Sequence, residues 1–353
     1  DRTAGGLERV RRVEVDVVGE RTEIPALVGV PQPALLLLND DDLTFAKIRL
    51  DDVSLGTAVE SLASLDSALA RALIWAATWD MLRDAEMPMG DFLTLVESGL
   101  PSEDDISVVT TLLSQTKAAI EQFSGPGKRE GYRDRWAALL LRLVGEAEPG
   151  SDNQLAFARA YAGTARTPEQ TAVVRSWLEG AAPEGLVVDT DLRWTFLQRL
   201  IAQGAADPAE IESELEKDDT ATGRRQAATA QALVPTLEAK EAAFAAAVES
   251  DDLPNALLVA TIAGFVHPDQ RELHRVFLDR YFDAIPGVWA TRTNETAQTI
   301  VMGLYPSQII EPEMLERTDE FLARDDIPSG ARRLVREGRD GIERSLRCQA
   351  CDS

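Results

Sequence analysis

The sequence predicts a mainly α protein: a HEAT/armadillo-like α-α superhelix preceded by a small, truncated β-sandwich. Three observations predict it. From Ser54 onward almost no strand pattern is found, and helix start and stop signals recur every 15–25 residues or so, roughly. Short loops between successive helices imply antiparallel neighbours, and a long run of such hairpins implies a superhelical stack. Before Ser54, by contrast, valines alternate with charged residues in the period of two that marks a strand.

Residues 1–52 read as the latter part of a β-sandwich domain and residues 53–353 as the superhelix. Val13, Val15 and Val17 alternate with Glu14, Asp16 and Val18, which predicts one strand. Further strands are expected at Arg21–Val28, Leu35–Leu38 and Phe45–Leu50, with a turn at Asn39-Asp40-Asp41-Asp42. Pro25, Pro31 and Pro33 confine these segments to edge positions or loops, because proline cannot donate to a sheet ladder. Strands this few and short make half a sandwich, so the unit is expected to continue upstream. The first residue is Asp1 rather than Met, and the chain reads as a piece of something longer.

The helical part is punctuated by caps. Ser67 precedes an apolar pattern over residues 68–84, and Thr167-Pro168-Glu169 opens another over 172–178. The acidic run Glu103-Asp104 precedes Ile106–Phe123. Pro208, Pro254, Pro268, Pro312 and Pro328 stand where first-turn prolines belong. These signals predict roughly sixteen or seventeen helices. No strict repeat period is visible, so the helical pairs are degenerate. The central rung is Gly185–Gly204: Asp189 or Thr190 caps it, Leu192, Phe196 and Leu200 form its apolar stripe, and Gly204 ends it in a left-handed turn. Asp191 and Arg193 on this helix are expected to pair with neighbouring helices, and Arg193 is also a candidate for a substrate cavity.

Composition excludes several function classes. Sixty Asp and Glu against 36 Lys and Arg give a net charge of −24, which argues against nucleic acid or anionic membrane as partner. No apolar run reaches the roughly 18 residues that a membrane-spanning helix requires. Two cysteines, Cys348 and Cys351, exclude a disulfide framework and fit a reducing compartment; a cytoplasmic location and a monomeric state are the expectations.

Chemical motifs are few. His267 and His274 are the only histidines and stand seven residues apart, about 10 Å along a helix, too far for the one-turn spacing of a zinc hydrolase. They read as cap or surface residues. The C-x-x-C of Cys348 and Cys351 reads as a frayed tail with free thiols. The segment Gly125-Pro126-Gly127-Lys128-Arg129-Glu130 faintly suggests a phosphate loop, but Gln122 stands where the first glycine belongs and Arg129 where Ser or Thr must follow Lys128. Trp75 and Trp79, one turn apart, read as core. Trp289 lies near Arg292 and Glu295, which are expected on one helical face and are candidates for a polar inner wall. Catalytic and metal-ligating residues are expected to be absent.

Six segments carry a resemblance. LLLLNDDDLTFAKIRLD (Leu35–Asp51), ARALIWAATWDMLRDAEMP (Ala70–Pro88) and GLVVDTDLRWTFLQRL (Gly185–Leu200) are three of them. DDTATGRRQAATAQALVP (Asp218–Pro235), LPNALLVATIAGF (Leu253–Phe265) and ARRLVREGRDGIERSLR (Ala331–Arg347) are the others. In this order they resemble the C-terminal part of the aminopeptidase N family of zinc aminopeptidases, of the actinobacterial type. The resemblance implies a β-sandwich followed by a helical superhelix, behind an upstream catalytic domain that holds the zinc. There the metal polarises the scissile carbonyl while a glutamate takes a proton from water. The family's H-E-x-x-H and Gly-x-Met-Glu-Asn segments are absent from this sequence, so no cofactor and no catalytic residue is carried over to it. What the resemblance implies is a non-catalytic region that caps the catalytic domain of the same polypeptide and encloses a peptide cavity, with Arg193, Arg292 and Glu295 as candidate cavity residues. Composition and helix count alone point to an alternative, an independent α-solenoid that binds protein partners.

Overall fold

The structure is a computed structural model that describes residues 1–250 and 253–353. Seventeen α-helices follow one another among the described residues. The first five are α1 (Asp52–Ser61), α2 (Ala68–Arg83), α3 (Met89–Gly99), α4 (Ile106–Phe123) and α5 (Arg129–Glu146). Next come α6 (Asp152–Ala162), α7 (Pro168–Leu178), α8 (Thr190–Ala202), α9 (Ala209–Lys217) and α10 (Ala221–Leu233). The third group is α11 (Leu237–Val248), α12 (Asn255–Phe265), α13 (Arg271–Arg275) and α14 (Leu278–Thr291). The last are α15 (Asn294–Gly303), α16 (Pro312–Leu322) and α17 (Ser329–Cys351).

Local chemistry sets many of the starts. Ser67 accepts from Ala70 N ahead of α2, and Asp105 from Ser107 N and Val108 N ahead of α4. Thr167 and Gln170 form a reciprocal capping box at α7, so two otherwise orphaned N–H groups are satisfied there. Asp189 accepts from Leu192 N at the start of α8. Gly204, at φ +66°, turns the chain out after that helix, a conformation that costs a side-chain-bearing residue about 1–2 kcal/mol.

Packing turns the series of helices into a superhelix. Helices touch their next-but-one neighbours along one layer, α4 on α6, α6 on α8, α8 on α10 and α10 on α12, and the layer continues through α15 to α17. The core runs with it in three adjoining clusters, from Ile48 to Leu200, from Trp194 to Leu233 and from Ala232 to Ile342. The layer then closes. α17 returns to touch α2 and α4, and its Cys348 belongs to the first core cluster.

The N-terminal segment differs from the expectation. None of the strands predicted at Val13–Val17, Arg21–Val28, Leu35–Leu38 and Phe45–Leu50 forms; a two-residue hairpin pairs Arg2–Thr3 (β1) with Gly6–Leu7 (β2) instead. The rest is extended chain with single 3-10 turns at Pro25–Leu27 and Asp40–Asp42. A strand is held by hydrogen bonds to another strand, and these segments meet none among the described residues. Their apolar side chains stay in water, Val17 at 79% and Phe45 at 110% exposure.

Candidate functional site

Inside the ring lies a cavity of about 230 Å³. Five parts of the fold build it. α4 supplies Lys117 and Glu121, α5 supplies Arg133 and Trp136, and the α6–α7 connection supplies Gly163, Thr164 and Arg166. α8 supplies Arg199, and the turn after α12 supplies His267 and Asp269. An aromatic pocket near Phe265 and Tyr281 has about 10 Å³, room for a water at most.

The charges of the cavity are mostly spent on one another. Arg133 Nε donates to Glu121 Oε1 at 2.8 Å, Nη1 to Glu130 at 2.8 Å, and Nη2 stands 3.3 Å from Asp269 Oδ1. Arg199 Nη2 donates to Asp269 Oδ2 at 3.2 Å and to Thr164 O at 3.3 Å. Arg166 pairs with Glu130 at 2.7 Å. Burial pushes Arg199 down, to about 10, against the pull of Asp269. The same burial pushes Asp269 up, but Arg199 and then Arg133 outweigh it and hold the carboxylate below its usual range.

Lys117 is the exception. Four cations, Lys117, Arg133, Arg166 and Arg199, face three carboxylates, Glu121, Asp269 and Glu130, which leaves one positive charge. Lys117 is that charge: among the described residues its ammonium makes neither a hydrogen bond nor an ion pair. Lys117 is exposed to solvent, and crowding by the surrounding protein, with Arg199 second, pushes its pKa down. Glycine at 163 makes the room, since a Cβ there would stand 3.2 Å from Lys117 Nζ. A cation reached by solvent and without a partner, beside arginines already oriented by carboxylates, is an arrangement that attracts an anion.

The expected site residues lie elsewhere. Arg193 grips Glu214 of α9 with two bonds, Nε to Oε1 at 2.6 Å and Nη2 to Oε2 at 2.7 Å. Asp191 pairs with Arg159 of α6 at 2.6 Å. Arg292 and Glu295 do not share a helical face: Arg292 ends α14, Thr293 caps α15, and Glu295 stands exposed in the first turn of α15. A threonine able to accept from Thr296 N breaks the helix between them. Arg292 Nη2 donates to Val248 O at 3.0 Å. None of the three candidates lines the cavity.

The histidines and cysteines also need correcting. His267 does cap the 3-10 turn at Pro268–Gln270, yet neither histidine is on the surface. Burial first, then Arg199, keeps His267 neutral far below its ordinary pKa, with Nε2 3.0 Å from Arg199 Nη1. His274 is 5% exposed and lies against Phe265 O at 2.8 Å. Cys348 and Cys351 are free thiols but not a frayed tail: α17 stays helical through both, and Cys348 Sγ donates to Leu82 O at 3.2 Å. Among the described residues no three His, Cys, Asp or Glu side chains converge on a metal position, and both histidines face other protein groups. These residues do not fit a zinc ion.

One signal for the residues of this cavity was present in the sequence. Arg133, Arg166 and Arg199 stand at equal intervals of 33 residues, a helical-repeat spacing. Lys117 and Glu121, one turn apart, interrupt the apolar face of α4.

A ring-closed α-α superhelix with a charged inner cavity defines the class: a helical-repeat domain. Residues 35–344 match the ERAP1-like C-terminal domain family, and the chain belongs to that family. It is 52% identical over 351 residues, 99% of this chain, to aminopeptidase N of Streptomyces lividans. The chain spans 41% of that protein's length. The matches agree with the resemblance carried by the six segments, and they do not favour an independent scaffold.

Proposed function

We propose that this chain is the non-catalytic C-terminal region of a zinc-dependent aminopeptidase, and that it caps the catalytic domain of the same polypeptide. The whole protein removes N-terminal residues from peptides, with the zinc held upstream. Within that enzyme the ring encloses the far part of the substrate, and its cavity receives the peptide's C-terminal carboxylate. Lys117 carries this reading: a solvent-reached, unpartnered ammonium lines the cavity in a chain whose net charge is −24. An anion there gains a cation's partnership without breaking the bonds that already hold Arg133 and Arg199.

The proposal keeps residues 1–52 as the latter part of a β-sandwich, supported by the valine alternation and by the uncovered apolar side chains of that segment. It keeps Arg292 and Glu295 as contacts for longer peptides, supported by their charge at the α14–α15 junction, and Arg193 as a wall residue shaped by Glu214. A cytoplasmic monomer belongs to the same reading.

The test compares peptides that end in a free carboxylate with the same peptides amidated, using the full-length enzyme. The native protein is expected to show a KM for the amides several-fold above that for the acids, and Lys117→Met to bring the ratio to about one, since a charge-assisted contact is worth roughly tenfold. A ratio that Lys117→Met leaves untouched would refute the carboxylate site.

A further inference from the structure

The segment that faintly suggested a phosphate loop does bind an anion, and the anion belongs to the chain itself. Asp352, 1% exposed, enters from the end of α17. Its Oδ1 accepts from Gly90 N at 3.1 Å and from the Tyr132 hydroxyl at 3.1 Å. Its Oδ2 accepts from Gly125 N at 2.8 Å, and Lys128 Nζ donates to its main-chain oxygen. Gly90 lies in the first turn of α3, whose N-cap position is Pro88 and which has no side-chain cap of its own. Asp352 supplies that acceptor from 262 residues away. Beside it Gln349 Nε2 donates to Gln122 O at 2.9 Å. These bonds join the end of the helical layer to its beginning.

The socket and the cavity share one helix turn. Tyr132 of α5 holds Asp352, and the next residue, Arg133, reaches the opposite way to Glu121 and Asp269 in the cavity. Lys128, at the N-cap position of α5, is in the socket too. The start of α5 is therefore fixed from both sides, by a carboxylate from α17 and by a carboxylate from the turn after α12.

We propose that the last turn of α17 is a strap: Asp352, seated on Gly90, Gly125 and Tyr132, closes the superhelix into a ring and holds α5 in the position that forms the cavity. Release of the strap lets the start of α5 move and uncouples Arg133 from Asp269. The inference rests on the reading of the cavity as a binding site only for its consequence to peptides, not for the mechanical coupling.

The test is hydrogen exchange by mass spectrometry on the full-length protein carrying Asp352→Asn, and separately Tyr132→Phe. Asparagine keeps the shape but turns a donor toward Gly90 N or Gly125 N. Exchange is expected to rise roughly tenfold in residues 86–92 and 124–136 and also in the cavity turn 266–270, which Asp352 does not touch. Tyr132→Phe, which removes one donor of three, is expected to give a smaller rise in the same segments. A rise confined to residues 349–353 would reduce the strap to a local cap and overturn the coupling. Should Asp352→Asn unfold the protein, Tyr132→Phe decides: no change at 266–270 overturns the proposal. If exchange couples while Lys117→Met leaves the acid-to-amide ratio intact, the strap stands and the carboxylate reading falls.

Discussion

Lys240 and His274 show what a buried polar side chain requires of its neighbours. Lys240 is 0% exposed, and its ammonium donates to Ala232 O at 2.6 Å, Gly264 O at 3.1 Å and Phe265 O at 2.9 Å. Burial pushes its pKa down to about 7, and three carbonyl acceptors oppose that push. His274 shares the Phe265 carbonyl and is held neutral by burial, its pKa lowered to about 4. Its ordinary value is 6.5. Between those two values the unfolded chain binds a proton that the fold refuses, so stability is full above the upper value and falls as the pH drops toward the lower one. At pH 5 the loss from His274 comes to about 2 kcal/mol. Urea midpoints at pH 7 and pH 5 check this: His274→Gln is expected to flatten the decline by that amount, and an unchanged decline would refute it. At this scale the sequence was poorly legible. That His267 caps a turn could be read from His-Pro, because capping involves residues within three positions. That His274 is buried and His267 half-buried depends on α8 and α12, which no local pattern announces.

At the scale of the element, the caps were the most legible feature. Ser67, Thr167 and Asp189 bond to N–H groups three residues on, so sequence neighbours suffice to predict them. The pairing of Arg292 with Glu295 failed for the same kind of reason, because Thr293 is itself a cap and divides the helix. How helices approach was less visible. α10 and α12 lie so close that a Cβ on Gly264 would stand 2.2 Å from Thr229 O, and Thr229 Oγ1 donates to Ala260 O at 3.0 Å. Gly264→Ala must therefore push the two helices apart and disturb the carbonyls that hold Lys240. The expected cost is about 3 kcal/mol, read as a lower melting temperature. Gly341→Ala on α17, where nothing stands within 4 Å of the new methyl, is the control and is expected to be neutral or slightly stabilising. Equal melting temperatures for the two variants would contradict the close approach.

Over the whole molecule, electrostatics and closure act together. The outer surface carries the excess of acidic residues, while the inner cavity gathers Lys117, Arg133, Arg166 and Arg199. An anion entering the ring thus moves from repulsion toward a local cation, which suits selective admission rather than general adhesion. The chain itself is expected to leave aminoacyl-anilides intact when supplied with zinc and freed of contaminants; turnover under those conditions would show that a catalytic set had been overlooked. Membership of the family was legible from the six resembling segments. The strands expected in the first 52 residues do not form, because alternation marks a willingness to pair and says nothing of whether a partner strand is at hand.

What the sequence by itself determined is the set of helices, their caps and the family, since each depends on residues a few positions apart or on runs of matched residues. Only the tertiary structure decided which charges meet. The cavity joins side chains from α4, α5, α8 and the turn after α12, and the bond between Arg199 and His267 spans 68 residues. The strap spans 227 residues from Asp352 to Gly125. Such contacts are set by the small rotation between successive helix pairs, accumulated around the ring, and no single helix encodes that sum. Arg193 and Lys117 make the contrast plain. Both are cations on mostly apolar helices, but α9 brings a carboxylate to Arg193, whereas the curvature of the ring leaves Lys117 facing open space.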